Sequence, residues 1–200
     1  MPSQPVITPT LDFVETYISR FDQEAVGITN KTIARLIRAF PNNYDLEDVL
    51  LKVVTINSLY ATNIYAVVDV AKHISKLQID SALAQGSLEI VDKIARVEVR
   101  GRIRRNYSFA SKYCSWHAPH IYPIYDSLVD KLLWAYKEQE NFAAFKREEL
   151  LEYPRYREIL DKFREYYALK QFGYKDLDKF LWLYGREMFA PVQQNSVLSQ

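Results

Sequence analysis

The sequence predicts an all-α fold, a compact multi-helix domain over residues 1–190 with a flexible tail at 191–200. Three observations carry this. Apolar residues recur at helical spacing almost everywhere along the chain. Only five glycines occur in 200 residues, too few for a turn-rich β-sandwich. Apolar residues make up 48% of the chain, enough to build a real core, either in one unit or in two helical lobes sharing a groove.

The elements follow in order. Leu11, Val14, Tyr17, Ile18 and Phe21 form a first stripe. Ile33, Leu36, Ile37 and Phe40 form a second, with Asn30 placed as its N-cap and Pro41 just past its end. Asp45 caps a segment that is apolar nearly all round, from Val49 to Leu59, which predicts a central, buried helix over 46–60. A further helix is expected from near Thr62, with Val67, Val70, Ala71, Ile74 and Leu77 facing inward. The segment 80–86 reads as a joint, and a helix from about Ser87 uses Ile90, Val91, Ile94 and Ala95. Val97 and Val99 suit a short strand, but nothing else in the chain reads as its partner. Past the middle, three stripes stand out: Leu128 to Tyr136, Tyr156 to Tyr167, and Leu177 to Met188.

Composition bounds the function. With 26 basic and 25 acidic side chains, no global field draws in nucleic acid or membrane, so any electrostatic role rests on local clustering. A single cysteine, Cys114, excludes an internal disulfide. No run of about 18 apolar residues predicts a membrane span. The start, Met1-Pro-Ser-Gln-Pro, has no basic region leading into an apolar run, so no signal peptide is expected. A cytoplasmic or nucleoid-associated location follows as an expectation.

Two stretches could carry chemistry. Arg96 to Arg105 reads Arg-Val-Glu-Val-Arg-Gly-Arg-Ile-Arg-Arg, five arginines in an otherwise neutral chain. Guanidinium forks match phosphate oxygens, so Arg100, Arg102, Arg104 and Arg105 are candidate phosphate ligands; a solvated, acid-paired turn is the alternative. In the next stretch Ser108 suits the cap of a short helix, and Lys112 lies in an aromatic, apolar setting that favours a nucleophilic amine. Pro119 stops that helix, and Asp126 sits where the next begins. The plain alternatives are a snorkelling lysine and a simple N-cap. Cys114-x-x-His117-x-x-His120 has zinc-like spacing, but Pro119 separates His120 from the helix and no fourth ligand stands by; no metal or cofactor is expected. His73 reads as structural, and most tyrosines fall on inward stripes.

Three pieces together resemble the helix-hairpin-helix DNA glycosylase superfamily. Thr55-Ile-Asn-Ser-Leu-Tyr-Ala-Thr-Asn-Ile-Tyr-Ala-Val-Val-Asp-Val-Ala-Lys-His-Ile resembles the region where a buried helix ends in a polar break facing the substrate pocket, which makes Asn57, Thr62 and Asn63 pocket residues. Phe109-Ala-Ser-Lys112-Tyr-Cys resembles the hairpin half that carries the lysine of bifunctional members. Tyr122-Pro-Ile-Tyr-Asp126-Ser-Leu-Val129 resembles the helix start that carries their essential aspartate. The resemblance covers roughly residues 45–135. It implies a protein that binds DNA and excises a damaged or modified base, with Lys112 attacking the sugar C1′ and Asp126 stabilising positive charge on the sugar. The competing reading is a non-catalytic helical interaction module, such as a homodimer. It is favoured by Asn106-Tyr107-Ser108 standing where the family hairpin is glycine-rich.

Overall fold

The computed structural model describes residues 4–24 and 26–190, so the tail expected over 191–200 lies outside the described residues. Helix accounts for 66% of the chain, and the only sheet among the described residues has two strands. The protein is therefore a compact, mostly α-helical domain. The helices are α1 (Leu11–Gln23), α2 (Val26–Ala39), α3 (Leu46–Leu59), α4 (Val67–Leu77), α5 (Asp80–Ala84), α6 (Glu89–Ala95), α7 (Tyr107–His117), α8 (Ser127–Glu140), α9 (Tyr153–Tyr166) and α10 (Tyr174–Met188). A 3-10 turn at Arg147–Leu151 leads into α9. No described helix is long and apolar enough to cross a membrane.

Buried residues from every helix join one apolar cluster, with Val14, Val53, Ile74, Tyr113, Leu132, Phe163 and Phe180 fully inaccessible. Helix α3 packs against α2, α4 and α7, α1 against α10, and α10 against α8. Gly185 permits the last approach: a Cβ there would sit 3.2 Å from the Leu128 carbonyl oxygen. This brings α10 close to the start of α8, which matters for the site.

Several expectations are corrected. Helix α3 is not buried all round. Val49, Val53 and Ile56 are sealed, but Leu51 and Val54 remain 45% and 43% exposed, because its neighbours cover only one side. Its buried Lys52 donates to the Phe40 and Asn42 carbonyls and to Asn43 Oδ1, fastening the chain that follows α2. Asn30 lies inside α2 and caps nothing, and Ser108 lies inside α7, which follows Asn106. Asp45 does cap α3, accepting from the Glu47 and Asp48 amides. The helix expected from Thr62 begins only at Val67, after a loop in which Ala61 and Asn63 take positive φ. The expected joint at 80–86 contains the short helix α5.

The strand over Val97 and Val99 does have a partner. β1 (Arg96–Val99) pairs antiparallel with β2 (Arg102–Arg105), Val97 opposite Arg104 and Val99 opposite Arg102. Arg100 and Gly101, at φ 50° and 73°, make the turn. Two successive positive-φ residues match the right-handed twist of a tight hairpin. β2 escapes an apolar-pattern reading because four of its residues are exposed and three are arginine.

Candidate functional site

Lys112 and Asp126 meet because α7, the turn after Pro119 and the start of α8 form a closed corner. Ser108 and Lys112 share one face of α7, one turn apart. The chain returns so that Tyr125 and Asp126 cross that face, with the Tyr125 amide donating to Ser111 Oγ at 3.0 Å. Lys112 Nζ donates to Ser108 Oγ at 2.6 Å, to the Tyr125 carbonyl at 3.3 Å and to Asp126 Oδ2 at 3.1 Å. Asp126 Oδ1 accepts the Leu128 amide at 3.0 Å as the N-cap of α8. One carboxylate thus caps a helix with one oxygen and holds an ammonium with the other. Lys112 is only 2% exposed, whereas the Asp126 side chain is 21% exposed. The Tyr60 ring centroid lies 5.4 Å from the same ammonium.

Two clefts share Arg105 and Asn106, and the smaller of them borders this corner. The larger, about 1220 Å³, runs between the β1–β2 hairpin and the loop leading into α4, and Asn63, Arg100, Arg102, Arg104 and Arg105 line it. Tyr65, which also lines it, is 95% exposed, and Ile103 is 71% exposed. The smaller, about 320 Å³, is lined by Thr62, Arg105, Asn106, Ser108 and Tyr125 among others. Its wall therefore contains two of the three groups that hold Lys112.

The predicted residues divide accordingly. Thr62 and Asn63 each line a cleft. Asn57 lines neither: its Oδ1 accepts from Thr62 Oγ1 and the Ile64 amide, and its Nδ2 donates to the Ile64 carbonyl. It shapes the loop that carries the other two. Arg100, Arg102 and Arg104 are exposed and make no ion pair among the described residues. Arg105 is committed elsewhere, to Asp92, the Leu151 carbonyl and the face of Tyr107.

A second lysine and aspartate, not singled out from the sequence, come in from α10. Lys175 Nζ lies 3.8 Å over the Trp116 ring, is sealed from solvent and has no hydrogen-bond partner. Asp178 follows one turn later. Burial pushes its carboxyl up, opposed by the charges of Lys175 and Lys112. Burial pushes the Lys175 ammonium down. The Tyr60 hydroxyl, raised by burial and by Asp178, lies near Trp116 Nε1, but outside hydrogen-bond geometry, so the buried indole N–H also lacks an acceptor. The signal available in the sequence was a Lys-x-x-Asp pair flanking the inward Leu177.

The zinc-like spacing assembles nothing. Cys114 is fully buried, and burial raises its thiol. His117, pushed down to about 4 by burial, has its Nε2 sealed and unpartnered. His120 lies beyond the end of α7. Among the described residues no three His, Cys, Asp or Glu side chains converge as metal ligands. His73 Nε2 is bonded to the Lys93 carbonyl.

The HI_0787_N family, described as an N-terminal domain, matches residues 13–121. An uncharacterised protein of Haemophilus influenzae is 36% identical over 177 residues, covering 88% of this chain and 85% of its own. The chain belongs to the HI_0787_N family. No solved structure matches it.

Proposed function

We propose that the protein is a DNA-binding, glycosylase-like enzyme that excises a damaged or modified base by lysine and aspartate chemistry. The observation that carries this reading is the 3.1 Å approach of Lys112 Nζ to Asp126 Oδ2 behind the wall of an arginine-flanked cleft. Arg100, Arg102 and Arg104 hold backbone phosphates along the larger cleft, as exposed guanidiniums without acid partners can. The flipped nucleotide enters beside Ser108 and Tyr125. Lys112 gives its proton to Asp126 or water, leaves Ser108 Oγ and attacks C1′. The C1′–N bond to the base breaks, and its electrons leave with the base. Asp126 stabilises the positive charge that develops on the sugar. Opening of the sugar then gives an imine with Lys112.

A duplex carrying the susceptible lesion tests this. Sodium borohydride reduces the imine to a stable protein–DNA adduct. Wild type is expected to give the adduct and Lys112→Ala to lose it. An adduct that survives Lys112→Ala overturns the assignment. One observation favours a second reading, a non-catalytic all-α interaction module: Lys112 is 2% exposed and supplied with three acceptors, as a purely structural lysine would be. That reading predicts a lower melting temperature for Lys112→Ala and no adduct from wild type.

A further inference from the structure

The larger cleft has two unlike walls. One is β2, where Arg104 stands opposite Val97 and Arg102 opposite Val99. Directly paired residues share one face of a sheet, and Val97 is buried where β1 packs near α4. Arg102 and Arg104 therefore lie on the α4 side of the hairpin, across from Val67 to Val70, which also line the cleft. Glu98 pairs with Ile103 on the opposite face. Among the described lining residues, Asp69 alone brings a carboxylate, against four arginines. The other wall is the loop before α4. Ile64 is buried, and Asn57 clamps it from both ends, accepting from its amide and donating to its carbonyl. Tyr65, next in the chain, is almost fully exposed and lines the cleft, as does the exposed Val68. A folded chain ordinarily buries most of so large a ring. Held in water on a clamped loop, across from unpaired guanidiniums, it offers a free flat face to a partner that is itself flat and anionic.

We infer that the larger cleft binds a single, unpaired DNA strand, with a base stacked on the Tyr65 ring and phosphates on Arg100, Arg102 and Arg104. Single strands are held by these two means together, aromatic rings under the bases and cations along the backbone. A closed duplex offers the arginines its phosphates but keeps its base faces stacked inside, so Tyr65 has nothing to stack on. An acidic peptide matches the guanidiniums but leaves the ring without a flat partner. The cleft, at about 1220 Å³, also exceeds the roughly 300–1,000 Å³ of a small-molecule pocket, which suits a segment of polymer. The inference deepens the glycosylase reading and rests on its DNA-binding half, not on its lysine chemistry. It names the form of the strand held beside the flipped nucleotide.

The test uses the full chain and fluorescence anisotropy with four labelled probes. They are an oligothymidylate of ~12 nucleotides, a hairpin duplex of equal charge, an equally long strand of a stable abasic analogue, and an oligoglutamate of equal charge. A stacked base is worth at least about fivefold in affinity, so the oligothymidylate is expected to bind at least that much more tightly than the other three. Tyr65→Ala is expected to bring it down to the level of the abasic strand. Duplex binding and the salt slope should stay unchanged in that variant, because no phosphate contact is lost. Tyr65→Phe keeps the ring and is expected to keep the preference. Tyr65 packs on nothing, so both variants are expected to melt with wild type. Duplex or abasic strand binding as tightly as oligothymidylate overturns the inference, and oligoglutamate doing so overturns it in favour of an acidic protein partner. Wild-type affinity in Tyr65→Ala, loss of the preference in Tyr65→Phe, or no binding of any probe overturns it too. Borohydride trapping on a duplex with a preformed abasic site runs alongside. An adduct without single-strand preference defeats the cleft alone. The preference without an adduct defeats the lysine chemistry alone.

Discussion

Replacing the three uncommitted arginines of the hairpin tests the nucleic-acid interface most quantitatively. Arg100, Arg102 and Arg104 line the larger cleft, are exposed and make no acid pair among the described residues. Arg100 takes φ 50°, so Arg100→Asn keeps a residue that tolerates this conformation; Arg102→Gln and Arg104→Gln remove charge while keeping length. Each phosphate contact contributes about 0.9 to the slope of log affinity against log salt, so three lost contacts flatten it by about 2.7. Between 50 and 200 mM salt, wild-type affinity should therefore fall about 40-fold more than that of the triple variant. Anisotropy of a labelled duplex across that range measures both slopes. Arg105→Gln is the contrast. It should change the slope less and lower the melting temperature, because Arg105 ties the hairpin to Asp92 and Leu151. Parallel salt slopes for the triple variant and wild type would refute the phosphate role.

Three further outcomes are expected. Asp126→Asn retains an N-cap, since asparagine caps as well as aspartate, whereas Asp126→Ala loses the cap, about 1 kcal/mol, and also strips the buried Lys112 ammonium of its carboxylate, which adds to that cost; base release should fall about 100-fold or more in both, and equal activity in Asp126→Asn would remove the carboxylate from the mechanism. His117 titrates near 6.5 when unfolded but is held to about 4 in the fold. Its stabilising contribution is therefore complete above pH 6.5 and is lost as pH falls towards 4, by roughly 3 kcal/mol. Denaturant melts of wild type and His117→Gln should diverge over that window, and parallel pH profiles would contradict it. Lys52→Met leaves the Phe40 and Asn42 carbonyls without their side-chain donor and Asn43 Oδ1 with the Tyr113 hydroxyl alone. This should cost about 3 kcal/mol, read by calorimetry as a melting temperature lower by roughly 6–12 °C, and an unchanged melt would show that water replaces the ammonium freely.

Local signals made most of the fold legible. The stripes from Leu128, Tyr156 and Leu177 correspond to α8, α9 and α10 because a 3.6-residue period follows directly from one buried face. Asp45 and Asp126 are caps because a carboxylate before an apolar run meets free amides. What was missed depends on distant partners. Which sides of α3 are covered is decided by where α2, α4 and α7 lie, so Leu51 and Val54 could not be told from Val53. The strand Arg102–Arg105 has no apolar alternation, and only the backbone turn at Arg100-Gly101 reveals its pairing. The Lys112–Asp126 approach was anticipated through motif order, but Lys175 and Asp178 join them from across the chain through the close α8–α10 contact at Gly185. Charges flanking an inward leucine carry no label in sequence that separates them from a solvated helix face.

In the proposed reaction the Lys112 amine bonds to the sugar carbon. Peptide mass spectrometry of the borohydride-reduced protein–DNA adduct reads that atom directly. After nuclease and protease digestion, one modified peptide is expected, carrying the reduced sugar remnant on Lys112. A remnant on Lys175, on another lysine or on the N-terminal amine would contradict it, as would the absence of any adduct from folded protein on a duplex bearing an abasic site.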